Sequence, residues 1–330
     1  MRRNLATLSI GSTPLGWTRI ATGHDDGSGW LHSGIAVLPD GDLLVAHPEG
    51  HDLIRLSPAG ESVRIHTELT EMHCLTVAVG PDNQVRVWTA DNGHRFVHSS
   101  PNYGEVRVPG RLVALDLNGN IVQELPEPKG FGSWSPTSVA LVNPSDPDSD
   151  IWVADGYGQS LVHLYTADGT LTRTLDGSGS GRAFDCPHGI MVRTAGAEKV
   201  LYVADRANQR IVIFALDGTY LRTIGTGILD SPSSIVDYHG HLVVTELFGA
   251  LAIFDGDEYV GHIGSSGRDH TAGDWPNRTD ETGQTVAPRI VDGTFNSPHG
   301  ITARGGAIYL TEWMIGGRVI QLRPTGAAAR

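Results

Sequence analysis

The chain has 330 residues, 39% of them hydrophobic, and a formal net charge of −13 at pH 7. That charge argues against a nucleic-acid partner and against an anionic membrane, because phosphate binding needs a basic surface. There is no apolar run long enough to span a bilayer as a helix, and two cysteines, Cys74 and Cys186, are too few for a disulfide scaffold. The N-terminal MRRNLATLSIGSTPLGW lacks the apolar core of a signal peptide. A cytoplasmic protein with reduced thiols is therefore expected.

In chain order, GWTRIATG (16–23) reads as an outer strand with no partner nearby. It is followed by LLVAHPEGHDLIRLSPAGESVRI (43–65), VRVWTADNG (85–93) and IWVADGYGQSLVHLYTADGTLTRTLDG (151–177). Then come LYVADRANQRIVIFALDGTYLRTIGTG (201–227), LVVTELFGALAIFDGDEYVGHIG (242–264) and IYLTEWMIGGRVIQLRP (308–324). Each is a set of short alternating strands joined by tight Asp-Gly turns. Such a unit cannot bury its faces alone, and six of them stacked radially make a β-propeller. The last unit stops after three strands, so 16–23 is expected to supply its missing outer strand and close the ring. The chain is then one all-β, six-bladed propeller domain over 1–330. Two long insertions, 94–110 and 265–294, are expected as binding loops on the face where the innermost strands begin.

The phrase FDCPHGIMV (184–192) returns as FNSPHGITA (295–303). Aligning the openings of the innermost strands puts His73, Thr137, His188, Ser233 and His299 at equivalent places. His73, His188 and His299 each have apolar residues two and four positions on. His32 does not, and Ser33 fits the first blade better. The three phased histidines come from alternate blades, so they converge on the axis. Three imidazoles with one open position suit zinc or another divalent transition metal. Cys74 and Cys186 are expected to turn away and pack.

Second strands end in a recurring acid: Asp91, Asp155, Asp205, Glu246 and Glu312. The simplest role for it is to hold a turn through backbone amides. Tyr157 and Arg206 are not repeated in other blades, and neighbouring blades place them beside His188. Arginine suits a carboxylate, and a tyrosine beside a metal and an arginine is expected to have a lowered pKa and to serve as a base.

LYVADRANQRIVIF resembles the NHL repeat. The larger pattern SPTSVAL, IWVADGYGQSLVHLY, PHGIMV, LYVADRANQRIVIF, PHGI resembles the peptidyl-α-hydroxyglycine α-amidating lyase domain, over roughly 30–324 and most closely over 135–215. That resemblance implies zinc on His73, His188 and His299, Tyr157 as base, and Arg206 on the substrate carboxylate. The family's reaction cleaves a hydroxylated carbon–nitrogen bond and releases an amide and glyoxylate. His47 and Pro48 stand where the family has a His-Arg pair with its second arginine. Gly300 replaces an acid that contributes to calcium binding, which argues against calcium here. The resulting expectation is a metal-dependent lyase acting on a small hydroxylated or carbonyl-bearing acid derivative. The competing readings are a metal-dependent hydrolase of lactonase or esterase type and a non-catalytic NHL scaffold.

Overall fold

The computed structural model describes residues 8–23, 28–81, 83–196, 198–267, 270–271, 273 and 275–326. Among these residues there is no α-helix, only one 3-10 turn at Ser178–Ser180, and the rest of the regular structure is strand. Six antiparallel sheets follow one another along the chain as six blades. In the fourth, the order from the axis outward is Pro187–Ala195, Glu198–Asp205, Arg210–Ala215 and Tyr220–Ile224. The other blades repeat that order, with innermost strands at Ile35–Val37, Thr76–Val79, Ser138–Leu141, Pro232–Tyr238 and Pro298–Arg304.

Strand alternation sends successive side chains to opposite faces, so every blade is apolar on both sides and packs between two neighbours. One interblade layer joins Trp152 and Ala154 of the third blade to Leu201, Val203 and Phe214 of the fourth. The next joins Tyr202, Ala204 and Ile213 of the fourth to Leu242, Val244 and Phe254 of the fifth. Packing without voids across these layers fixes the angle between blades, and hence what reaches the axis.

The ring closes as expected. Thr13–Ile20 pairs with Arg318–Pro324 in the sixth sheet, in a register that sets Ile20 opposite Val319 and Leu15 opposite Pro324. A fifth strand, Leu8–Ile10, lies outside it. The sequence pattern of 8–10 does not mark a strand. Leu8 and Ile10 are buried against Tyr238, Val243 and Ile253 and seal the seam between the fifth and sixth blades.

The two insertions differ from the loops anticipated. Residues 94–110 carry a β-hairpin, His94–Ser99 with Asn102–Arg107. The 265–294 insertion holds a two-residue strand pair, Arg278–Thr279 with Thr285–Val286. The insertions touch each other: Thr285 N–H donates to the Pro101 carbonyl at 3.1 Å. Both lie over the face where the innermost strands begin, as Phe96 and Trp275 show by stacking toward Trp313.

Candidate functional site

The recurring acids build the site without entering it. Asp91 accepts the amides of Thr70 (2.8 Å) and Glu71 (3.1 Å), just ahead of His73. Asp205 accepts Asp185 N–H at 2.8 Å, ahead of His188. Glu312 accepts Asn296 N–H at 2.6 Å and Ser297 N–H at 3.2 Å, ahead of His299. Asp155 and Glu246 do the same for Thr137 and Ser233. Each second strand thus clamps the arch that delivers its blade's axis residue. Burial raises the Asp91, Asp155 and Asp205 carboxyls, against the pull of those amides, and pushes Glu246 up to about 7.

The glycine of each Pro-His-Gly phrase has a steric reason. A Cβ on Gly189 would lie 2.3 Å from the Ser233 carbonyl oxygen, and one on Gly300 1.8 Å from that of Ser33. Neighbouring blades approach so closely here that only glycine fits. Register shifts between Pro187 and Ile190, and between Pro298 and Ile301, mark the same spot as bulges that aim the histidine at the axis.

The structure brings His73, His188 and His299 together. Their ring centroids are 4.6 Å (His73–His188), 4.7 Å (His188–His299) and 5.1 Å (His73–His299) apart. His73 Nδ1 lies 2.6 Å from the Thr137 carbonyl and His188 Nδ1 2.7 Å from that of Ser233. A carbonyl only accepts, so each Nδ1 carries the proton and each Nε2 keeps a lone pair facing inward. Burial, reinforced by the nearby Arg206 charge, drives His73 down to about 3 and holds His188 and His299 well below the usual histidine value. These are neutral imidazoles, the form that ligates metal.

His32 departs from expectation. Ser33 does occupy the equivalent axis position, and its Oγ donates to the His73 carbonyl. Yet His32, one residue earlier, is also buried in the cluster, 4.3 Å from His73 and 5.2 Å from His299 between ring centroids. Ring nitrogens of His32, His73 and His299 all lie within 4.8 Å of one another. Strand phase could not find His32, because it sits in the arch before the strand. His32 stands where Pro187 and Pro298 stand in the fourth and sixth blades, one residue before the axis position.

Tyr157 and Arg206 meet over these rings. Tyr157 Oη is 3.1 Å from His188 Nε2 and 3.3 Å from His73 Nε2. Arg206 Nη1 donates to Tyr157 Oη at 3.3 Å, and Nη2 donates to Ser233 Oγ at 2.8 Å and to His299 Nε2 at 3.1 Å. Arg206 Nε has no hydrogen-bond partner among the described residues. The phenol is not lowered as expected: burial raises it, and Arg206 only opposes that rise. Cys74 packs in the core between the second and third blades, and burial raises its thiol to about 11. Cys186 is half-buried, with Arg206 N–H donating to its carbonyl.

Tyr157 and Arg206 share a repeat position with two other residues. The N–H groups of Tyr157, Arg206, Leu247 and Trp313 donate to the carbonyls of Ser135, Cys186, Ser231 and Ser297, each two residues before its axis residue. The ring therefore presents, blade by blade, a phenol, a guanidinium, an aliphatic side chain and an indole. Trp313 stacks 6.3 Å from His32 and continues into Trp30 (5.2 Å) and, through it, Phe96 (4.4 Å). An aromatic wall thus stands on the side of the cluster away from Arg206.

The donor set fits a zinc-type cation. It offers inward imidazole nitrogens, and the buried Glu71 Oε1 lies 3.3 Å from the Nδ1 of the neighbouring His32. Calcium, which wants several oxygens, suits this nitrogen set poorly. A second group, His51, Asp52 and His66, also has ligand atoms close together. There Asp52 is already paired with Arg64, and Arg95 donates to His51, so the local charge disfavours a cation.

No protein family and no curated protein matches the chain. Among solved structures it is similar to a catalytically inactive virginiamycin B lyase variant from Staphylococcus aureus, determined with quinupristin. That match has 14% identity, covers 94% of this chain and 100% of the other, and has a TM-score of 0.55. It is also similar to a streptogramin B lyase (17% identity, 94% and 98% covered, TM-score 0.56). A third similar structure is a protein of unknown function from Bacteroides thetaiotaomicron (14%, 94% and 76%, TM-score 0.61). The likeness shows the propeller fold, and the neighbours that share it include lyases.

Proposed function

We propose that the chain is a lyase dependent on zinc or a similar divalent transition metal. Its substrate would be a small acid derivative bearing a hydroxyl or carbonyl group next to its carboxylate. The observation that carries this reading is the position of Tyr157 Oη, within hydrogen-bond reach of His188, His73 and Arg206 at once. A phenol that only packed would have no need of three polar partners on the propeller axis.

His73, His188 and His299 would hold the cation through Nε2, where it would supply Lewis-acid polarisation of a substrate oxygen. Arg206 receives the carboxylate, its guanidinium lying beside the imidazoles. Tyr157, 36% exposed, is reachable by substrate; once ionised, a state that Arg206 favours against burial, its Oη would take the hydroxyl proton as the carbon–heteroatom bond breaks. The departing group leaves with the bonding electrons and regains a proton, so no water is added. Trp313 and Trp30 line the remaining side with apolar surface.

The test is a screen of α-hydroxy and α-keto acid derivatives, run in heavy-oxygen water. A lyase gives products without solvent oxygen. Incorporation of solvent oxygen at the cleaved bond would instead indicate a hydrolase. Should Tyr157→Phe and Arg206→Ala leave every responsive turnover unchanged, the assignment of these two roles fails.

A further inference from the structure

The imidazole cluster contains more than the three phased histidines. His32 reaches it from the arch ahead of the first blade, is 6% exposed, and lies nearer to His73 than His188 does by ring centroid. His32, His73 and His299 form a trio whose ring nitrogens all lie within 4.8 Å of one another. Among the described residues, His32 is also the one imidazole of the four paired with a carboxylate. Its Nδ1 stands 3.3 Å from Oε1 of Glu71, which is 2% exposed. Behind Glu71 lies a second acid, Asp91, which accepts the Glu71 amide at 3.1 Å.

Two buried acids stacked behind a group of neutral imidazoles are costly. The arrangement becomes reasonable when a divalent cation occupies the cluster, because the acids then face a compensating charge. A carboxylate that holds the distal nitrogen of a ligating histidine fixes both its tautomer and its ring orientation. Glu71 stands where such a partner is needed, and among the described residues no carboxylate is paired with His73, His188 or His299, whose distal nitrogens face carbonyls where they are paired.

We propose that His32 is a fourth imidazole ligand of the cation, held in place by Glu71. The set then comes from the first, second, fourth and sixth blades. This proposal rests on the metal reading given above, but it differs from the three-histidine pattern that the repeats alone suggest. In it Glu71 is a positioning residue, and it makes no contact with substrate.

The experiment uses cobalt(II) as a spectroscopic probe on the full chain after chelator treatment. Binding is followed by the visible ligand-field bands in wild type and in His32→Ala, Glu71→Gln and His188→Ala, and folding is checked by circular dichroism. Wild type is expected to take up one cobalt per chain. Glu71→Gln keeps shape and folding but weakens binding about 10–100-fold. His32→Ala weakens it at least as much and moves the bands, as loss of a nitrogen donor requires. A folded Glu71→Gln keeps the test decisive if His32→Ala fails to fold. Unchanged affinity and unchanged bands in His32→Ala and Glu71→Gln, with binding lost in His188→Ala, would overturn the fourth-ligand proposal and leave the metal reading intact. No cobalt bound by wild type at all would overturn both.

Discussion

Glu312 accepts the amide of Asn296 at 2.6 Å, and three residues later the chain turns His299 onto the propeller axis. The same relation joins Asp91 to Thr70 and Glu71 ahead of His73, and Asp205 to Asp185 ahead of His188. The acids that look like catalytic candidates in the sequence therefore act at one remove: they fix where the imidazoles stand.

Removing such a clamp should cost stability. Asp91→Ala strands the amides of Thr70, Glu71 and Gly93 in the interior. Each buried, unpaired donor costs about 1–3 kcal/mol, part of it recovered by relaxation. A loss of about 3 kcal/mol is expected, read as a lower urea midpoint with an unchanged slope. An exposed acid such as Glu61, replaced in the same way, should leave the midpoint unmoved.

Tyr157 and Arg206 should separate by kinetic signature. Tyr157→Phe keeps the ring and its packing but loses the proton-transfer group, so kcat should fall about 10²–10⁴-fold with little change in KM. Arg206→Lys should raise KM about 10–100-fold, because an ammonium cannot reproduce the two-point guanidinium contact. The Arg206 effect should vanish with a substrate analogue lacking the carboxylate.

Glu246 gives the fold a pH dependence whose sign is fixed. Burial raises its carboxyl from 4.5 to about 7. The folded state therefore binds this proton more tightly than the unfolded chain does. Stability from this group is fully present below about pH 4.5 and is lost as pH rises through about 7. The full effect is on the order of 3 kcal/mol. Glu246→Gln should remove that slope, so the variant gains on wild type at pH 8 and gains least at pH 5, measured by urea midpoints at both values.

The aromatic wall should decide which substituent the substrate carries beside its acid group. Trp313→Ala removes the indole nearest His32 and breaks the stack with Trp30. Turnover of substrates with an aromatic or branched side chain should fall about tenfold or more relative to their small counterparts, as kcat/KM ratios. An equal loss for both classes would make the wall structural only.

The repeats made much of this visible in the sequence. The blades align because each must bury two faces, and the histidines at 73, 188 and 299 stand out because the repeat shows where each innermost strand begins. Tyr157 and Arg206 were legible for the opposite reason: the repeat does not carry them. What stayed hidden depends on long-range packing. Leu8–Ile10 is too short to read as a strand without the fifth and sixth blades beneath it. The hairpin at His94–Arg107 stands away from the core, so its strands lack the clean alternation that a half-buried strand imposes. His32 escapes because it stands one residue before the axis position that the repeat aligns, and Glu71 because its partner lies 39 positions earlier in the chain.

The central claim is that these histidines form a metal site. The most direct measurement is elemental analysis of protein purified without chelators, beside His188→Ala prepared identically. About one zinc or similar transition metal per chain in wild type, lost in the variant, is the result predicted here. No metal in wild type, together with no uptake of zinc on titration, would contradict it and leave the imidazoles as structural caps of the innermost strands.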